Sequence, residues 1–163
     1  MVTVISIAYI DGDIWIRIVG RGNFQCSPCL QKLVQEQLAK GHYNYIIDLE
    51  ECQQLDSTFM GTLVGIAQRC KTKKKGRLQV INVSESNKQL MENLGLDQVF
   101  PIQPIAAGKK FPLVDAEYSF VQITEAANAS KESIEEIVRS AHEALVKDNQ
   151  ANAPKFQNLL EII

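Results

Sequence analysis

Two adjacent hydroxyl side chains, Ser57 and Thr58, directly follow a carboxylate, Asp56, at the start of an amphipathic segment. Asp and Ser favour the N-terminal cap of a helix, where the first backbone N–H groups lack intrahelical partners. These donors and the helix dipole stabilise negative charge, so a phosphate is tolerated at such a position. The residue types and their spacing therefore predict either a plain helix cap or a surface position that can hold a phosphate or dock a partner that senses one.

The flanking segments predict how these hydroxyls reach the surface. The apolar run 45–49 is typical of a buried strand, and the short polar stretch after it predicts a loop. Asp48 lies near the end of this strand, where open α/β sheets place binding crevices, although a solvated carboxylate is an equal interpretation. The following helix presents one apolar face, made of Met60, Leu63, Val64 and Ala67. Ser57 would then lie exposed at the helix N-terminus.

The rest of the first two thirds of the chain predicts an α/β fold. An apolar segment at 2–10, a turn at 11–13 and alternating apolar residues after it indicate an N-terminal β-hairpin. A helical pattern over 27–40 is closed by Gly41. Strands then alternate with helices up to a short edge strand at 99–105, which implies parallel pairing with right-handed crossovers.

The character of the sequence changes after residue 105. We therefore divide the chain into a main domain, 1–105, and an extension, 106–163, in which 106–117 is typical of a linker and 118–127 fits a strand or a helix equally. A capping box at Ser133 and Glu136 predicts a helix through Lys147, and Pro154 predicts the start of a second one. This helical hairpin is too small to fold alone, so we expect it to pack on the main domain or on a second copy, as a homodimer.

The composition is that of an ordinary globular protein. The 163 residues carry a formal net charge of −2, which gives no electrostatic reason to expect a nucleic-acid partner. No apolar run approaches the roughly 20 residues that a membrane-spanning helix needs, and the N-terminus lacks the pattern of a signal peptide. We therefore expect a cytoplasmic protein without direct membrane insertion, in which the four cysteines stay reduced.

Several segments together resemble the STAS family, the sulfate-transporter and anti-sigma-antagonist domain. A strand ending at 48–49 is followed by the signature-like stretch Asp-Ser-Thr-Phe-Met-Gly at 56–61. The next strand, 77–83, and a helix with a Leu-Gly-Leu-Asp ending, within 88–101, continue the resemblance in the family's order and spacing. The resemblance implies a mixed β-sheet with an N-terminal hairpin and parallel βαβ units, on which helices pack.

The resemblance also implies a function, that of an anti-sigma factor antagonist. Unphosphorylated, such a protein binds an anti-sigma factor that is also a serine kinase; phosphorylated at Ser57 it is released, and a phosphatase reverses the change. The protein itself would be no enzyme and would need no cofactor. The implied partner surface comprises Asp56, Ser57, Thr58, Phe59 and Gly61, with 84–87 nearby. Phe59 stands where the family commonly has Gly, and its bulk would alter that surface; Gly61 would also allow close helix packing.

Two other functions compete with this one. STAS-like domains also occur as non-switching subunits of lipid transporters and of stress-signalling assemblies, where phosphorylation is irrelevant. Separately, the Cys-Ser-Pro-Cys motif at 26–29 resembles a thioredoxin active site, in which a helix N-terminus lowers the pKa of the first thiol. Cys52, Cys70, His42 and His142 do not have the spacing of a metal site, so we expect none.

Overall fold

The computed structural model of the protein describes residues 3–72, 76–104, 121–123 and 131–154. Within these ranges the chain forms β1 (Val4–Ile10), β2 (Asp13–Gly22), α1 (Ser27–Ala39), β3 (Asn44–Asp48), β4 (Cys52–Leu55), α2 (Ser57–Thr72), β5 (Arg77–Val83), α3 (Glu85–Asn93), β6 (Ile102–Pro104), β7 (Val121–Ile123) and α4 (Lys131–Asp148). Short 3₁₀ turns follow α3 at Leu96–Gln98 and α4 at Gln150–Asn152.

The N-terminal hairpin pairs β1 with β2 in antiparallel register. Its two-residue turn places Asp11 and Gly12 at positive φ, 52° and 87°, as a type I′ turn requires. Ile14, Ile16 and Ile18 alternate along β2 and all point into the core, because successive side chains of a strand face opposite sides of the sheet. The predicted hairpin is confirmed.

The main sheet has the strand order β6-β5-β3-β2-β1-β7. The pairs from β2 through β3 and β5 to β6 are parallel, whereas β1 is antiparallel to both of its neighbours. Parallel neighbours need a crossover connection, and α1, α2 and α3 provide these connections. The predicted mixed sheet with parallel βαβ units is confirmed.

The core lies between one face of this sheet and helices α1 and α2. Its fully buried apolar side chains include Ile16, Ile18, Leu30, Val34, Ile47 and Leu63. Burying each such side chain contributes about 1.5–3 kcal/mol. Most of α2 is buried along its length, so the sheet and the core fix the position of its first residue.

The main domain differs from the prediction at β4, at the start of α3 and at β6, which is confined to Ile102–Pro104. The polar stretch expected to be a loop contains β4, which pairs in parallel with the distal end of β2. This pairing is possible because β2 continues to Gly22, beyond the residues that pair with β3, and therefore offers backbone groups there. The helix expected to begin near residue 88 begins at Glu85, because the Ser84 side chain caps it by accepting a hydrogen bond from the Asn87 N–H.

In its described residues, 121–123 and 131–154, the extension adds strand β7 and helix α4 to the main domain. Strand β7 lies in the stretch that fitted a strand or a helix, and it pairs with β1 at the edge of the sheet. Helix α4 packs on α2. It begins at Lys131, so Ser133 lies inside the helix and the predicted capping box does not mark its start. The predicted linker and most of the predicted second helix lie outside the described residues.

Within the described ranges, no helix has both the length and the apolar character needed to cross a membrane.

Candidate functional site

Asp56 is the N-terminal cap of α2 and also holds the neighbouring loop. One carboxylate oxygen accepts a hydrogen bond from the Phe59 N–H at 2.8 Å, and the other accepts one from the Phe24 N–H at 2.8 Å. The backbone N–H of Asp56 in turn donates to the Gly22 carbonyl at 2.9 Å. Burial raises the pKa of the Asp56 carboxyl above its ordinary value, against the effect of these backbone donors. Asp56 thus fixes where α2 starts relative to the loop that precedes α1.

Ser57, the first residue of α2, is half-buried rather than exposed. Its Oγ lies 2.8 Å from Nε2 of His142, which is on α4. His142 is 0% exposed, and burial lowers the pKa of its imidazole, which is therefore neutral at pH 7. Which of the two atoms donates the proton depends on the imidazole tautomer. The prediction of an exposed hydroxyl is corrected here, because α4 covers that end of α2.

Gly61 lies one helical turn after Ser57 and packs directly against α4. A Cβ added at this position would lie 2.5 Å from the carbonyl carbon of Ala141 and 2.8 Å from its Cβ. Such distances are far inside van der Waals contact, so only glycine permits α4 to lie this close. The prediction that Gly61 allows close helix packing is confirmed, with α4 as the neighbour. Its proposed role as a partner contact requires α4 to be absent from this face.

Two other residues of the predicted partner surface lie inside the protein. Phe59 is 0% exposed and belongs to the main core, where it packs near Gly22. Thr58 is also buried. A partner cannot contact these side chains while the domain is folded, so the expectation that the bulk of Phe59 alters the docking surface is wrong. The phenylalanine points inward because the apolar face of α2 begins with it, at the third residue of the helix.

The C-terminal end of α4 has its own attachment to the main domain. The Asn152 side chain is buried and donates to the carbonyl of Leu94 at 2.9 Å and to that of Leu145 at 3.1 Å. Gly95, at a φ of 81°, lies directly against Asn149. Helix α4 is therefore held both at the start of α2 and at the turn that follows α3.

Asp48 is fully buried, which corrects the interpretation of a solvated carboxylate. It accepts hydrogen bonds from Arg17 Nε at 2.9 Å, from the Asn82 side chain at 3.0 Å and from the Glu50 N–H at 3.0 Å. The Arg17 guanidinium also contacts Glu50 and, at 3.8 Å, Glu51. Each carboxylate oxygen of Asp48 is occupied by the domain's own donors, so this strand end holds β2, β3 and β5 together and offers no open crevice.

The segment 84–87, expected near the site, opens α3. Ser84 caps that helix, and the buried Asn87 side chain donates to the Cys52 carbonyl of β4 at 3.1 Å. Ser84 thus fixes the start of α3, and Asn87 joins α3 to β4. Within 84–87, Asn87 therefore has a structural contact rather than a free surface.

The Cys-Ser-Pro-Cys motif does start a helix, but its environment is opposite to that of a redox thiol. Cys26 is 1% exposed and Cys29 is also buried. Burial raises the pKa of the Cys26 thiol to about 12, whereas a reactive cysteine needs access and a lowered pKa. Among the described residues, no group of three or more His, Cys, Asp or Glu side chains is placed to hold a metal ion.

His142 is the residue of this candidate site that the sequence did not reveal. It is separated from Ser57 by 85 positions, and a single histidine within an amphipathic helix carries no signal of its partner. Gly61 indicated close helix packing in general, but not which two helices would meet.

The fold and this site can now be compared with known proteins. The sequence model of the STAS domain matches residues 5–107. The chain therefore belongs to the STAS domain family. No curated protein matches the sequence significantly.

Solved structures with a similar fold include two anti-sigma factor antagonists. One, from Mycobacterium paratuberculosis, is 20% identical with a TM-score of 0.52; the match covers 62% of this chain and 86% of that one. A proposed antagonist from Thermotoga maritima is 18% identical with a TM-score of 0.56; the match covers 60% of this chain and 83% of that one. At such identities the likeness shows a shared fold.

Proposed function

We propose that this protein is a phosphorylation-controlled binding module that acts as an anti-sigma factor antagonist. Unphosphorylated, it binds an anti-sigma factor that is also a serine kinase, in the cytoplasm. The kinase phosphorylates Ser57 and the complex dissociates, and a phosphatase restores the binding form. The protein contributes a docking surface and an acceptor hydroxyl, and its partners contribute the catalysis.

The observation that carries this proposal is the position of Ser57 as the first residue of α2, directly after the capping Asp56. Free N–H groups at a helix N-terminus favour a phosphate there. The fold also supports the proposal, since two structures that share it are described as anti-sigma factor antagonists, one of them as a proposed one.

Electrostatics explain why one phosphate would end binding. Phosphorylation adds roughly −1.5 to −2 charge next to the Asp56 carboxylate. A partner that covers this surface would have to bury that charge without a counterion, at a cost of several kcal/mol. Since about 1.4 kcal/mol is tenfold in affinity, a single modification lowers the affinity by orders of magnitude.

One observation favours a second candidate function. The Ser57 hydroxyl is already hydrogen-bonded to a buried histidine of the same chain. A STAS domain that serves as a non-switching subunit of a lipid transporter or of a stress-signalling assembly has no need of an accessible hydroxyl. In that case Ser57 and His142 simply attach α4 to the domain.

Phosphorylation of the purified full chain distinguishes the two functions. We expect an extract of the source cells, supplied with ATP, to add one phosphoryl group to the wild-type protein, detected by intact mass and assigned to Ser57 by peptide fragmentation. Ser57→Ala should abolish the addition. Thr58→Val, which removes the neighbouring buried hydroxyl, is the matched control and should retain it. Equal addition to Ser57→Ala and to wild type would reject the switch and favour the non-switching subunit.

A further inference from the structure

The face of α2 that carries Ser57 is occupied by a helix of the same chain. Ser57 and Gly61 lie one turn apart on α2, and His142 and Ala141 of α4 contact them respectively. Residues three and four apart on a helix share a face. The surface that a partner needs at Ser57 is thus the surface on which α4 packs.

Helix α4 is not part of the matched family region. The STAS model ends at residue 107, whereas α4 spans Lys131–Asp148. Its contact with α2 is therefore an addition to the STAS domain. At Gly61 and Ala141 the contact is made by two small residues, with the Ala141 backbone directly against the glycine.

We propose that α4 is an autoinhibitory helix that competes with the partner for the Ser57 face of α2. This inference rests on the proposed function and adds its regulation. In the closed state that the structure shows, His142 holds the Ser57 hydroxyl and α4 blocks a kinase from reaching it. In the open state α4 leaves α2, and the partner docks where α4 was.

Two glycines of α2 provide a test with a matched control. Gly61→Ala would place a methyl group against the Ala141 backbone, so α4 must move away. Gly65→Ala lies one turn further along the same helix, where an added Cβ meets nothing within 4 Å. Both substitutions raise the helix propensity of α2 by the same amount. Any difference between the two variants therefore reports on the contact with α4.

Accessibility of position 57 is measured first, without a partner. Ser57→Cys is introduced alone and together with each glycine variant, and the rate at which the introduced thiol is alkylated is followed by peptide mass spectrometry. The four native cysteines are all buried and serve as internal references. Labelling of a covered site follows the population of the open state. We therefore expect Gly61→Ala to speed alkylation at position 57 at least about tenfold, and Gly65→Ala to leave its rate within about twofold.

Three results would overturn the inference. The first is equal labelling at position 57 in all three proteins, because α4 would then not control access. The second is faster labelling of the native cysteines as well, because Gly61→Ala would then have unfolded the domain rather than released α4. The third result is rapid labelling, at the rate of a free peptide, of the protein that carries Ser57→Cys alone, because position 57 would then already be open.

A second assay separates this inference from the proposed function. Wild type, Gly61→Ala and Gly65→Ala, each with Ser57 intact, are incubated with the same cell extract and ATP. We expect phosphate to enter Ser57 of Gly61→Ala at least about tenfold faster than in the other two. Equal rates in all three would reject autoinhibition and leave the switch intact. The opposite result is also possible: no variant takes up phosphate, while Gly61→Ala still speeds alkylation at position 57. This result would reject the switch and support the conclusion that α4 covers Ser57.

Discussion

Two polar centres of this protein, at Asp48 and at Ser57, have partners of different origin. Asp48 is satisfied by Arg17, Asn82 and a neighbouring backbone N–H, all within the region that matches the STAS family. The Ser57 hydroxyl contacts His142, which lies outside that region. A centre closed by its own domain is permanent while the domain is folded. A centre closed by an added helix opens whenever that helix leaves.

The largest effect is expected at the permanent centre. Asp48→Ala leaves the guanidinium of Arg17, which is only 12% exposed, without its buried partner. We expect the free energy of unfolding, measured with urea, to fall by about 3–5 kcal/mol. Glu51→Ala is the control, because Glu51 is 55% exposed and 3.8 Å from the same guanidinium; its effect should stay within about 0.5 kcal/mol. Similar small losses in both variants would remove the structural distinction between the two centres.

A smaller effect is expected where α4 meets α2. His142→Ala removes a buried hydrogen-bonding side chain and should cost about 1–3 kcal/mol. Ser57→Ala should cost less, because Ser57 is half-buried. A double-mutant cycle in urea should give a coupling of about 0.5–1.5 kcal/mol between the two residues. Strictly additive losses would mean that the Ser57–His142 contact does not stabilise the closed state.

The smallest effect is a pH dependence of the Ser57 centre. The pKa of His142 is lowered by burial from an ordinary value of 6.5, so the unfolded chain takes up this proton first as the pH falls. The free energy of unfolding should therefore decrease below about pH 6.5 and be insensitive to His142 above it. Asp56 contributes a pH dependence of the opposite sign, because its raised pKa makes the folded state bind this proton more tightly than the unfolded chain.

The difference between wild type and His142→Ala isolates the histidine in this measurement. Asp56 is present in both proteins, so its contribution cancels. Urea unfolding at each pH gives the free energy of unfolding of both proteins. We expect wild type to lose more stability than the variant as the pH falls from about 7.5 to about 5.5. Parallel curves would contradict the assignment of this pH dependence to His142.

Much of the fold follows from local signals in the sequence. The type I′ turn at residues 11 and 12 and Gly41, at a φ of 90°, mark the ends of elements through their own backbone requirements. Asp56 marks the start of α2 through its side chain. Strand β4 gave no such signal, because its two buried residues are separated by exposed glutamines and it depends on pairing with the end of β2.

The site itself was predictable in part. The position of Ser57 at a helix start follows from Asp56 and the apolar face of α2. The inward direction of Phe59 depends on where the core lies, and the cover from α4 depends on a contact between residues 85 positions apart. Neither is encoded in a local pattern, since both arise only when the helices pack.

The central claim is that the Ser57 hydroxyl both accepts the phosphate and attaches α4 to the domain. Amide hydrogen exchange on the protein phosphorylated at Ser57 tests this claim most directly. With 2.8 Å between Ser57 Oγ and His142 Nε2, a phosphoryl group cannot fit in the closed state. We predict that amides of α4 in 137–145 exchange much faster in the phosphorylated protein than in the unmodified one, whereas β3 and β5 stay equally protected. Equal protection of α4 in both forms would contradict this conclusion.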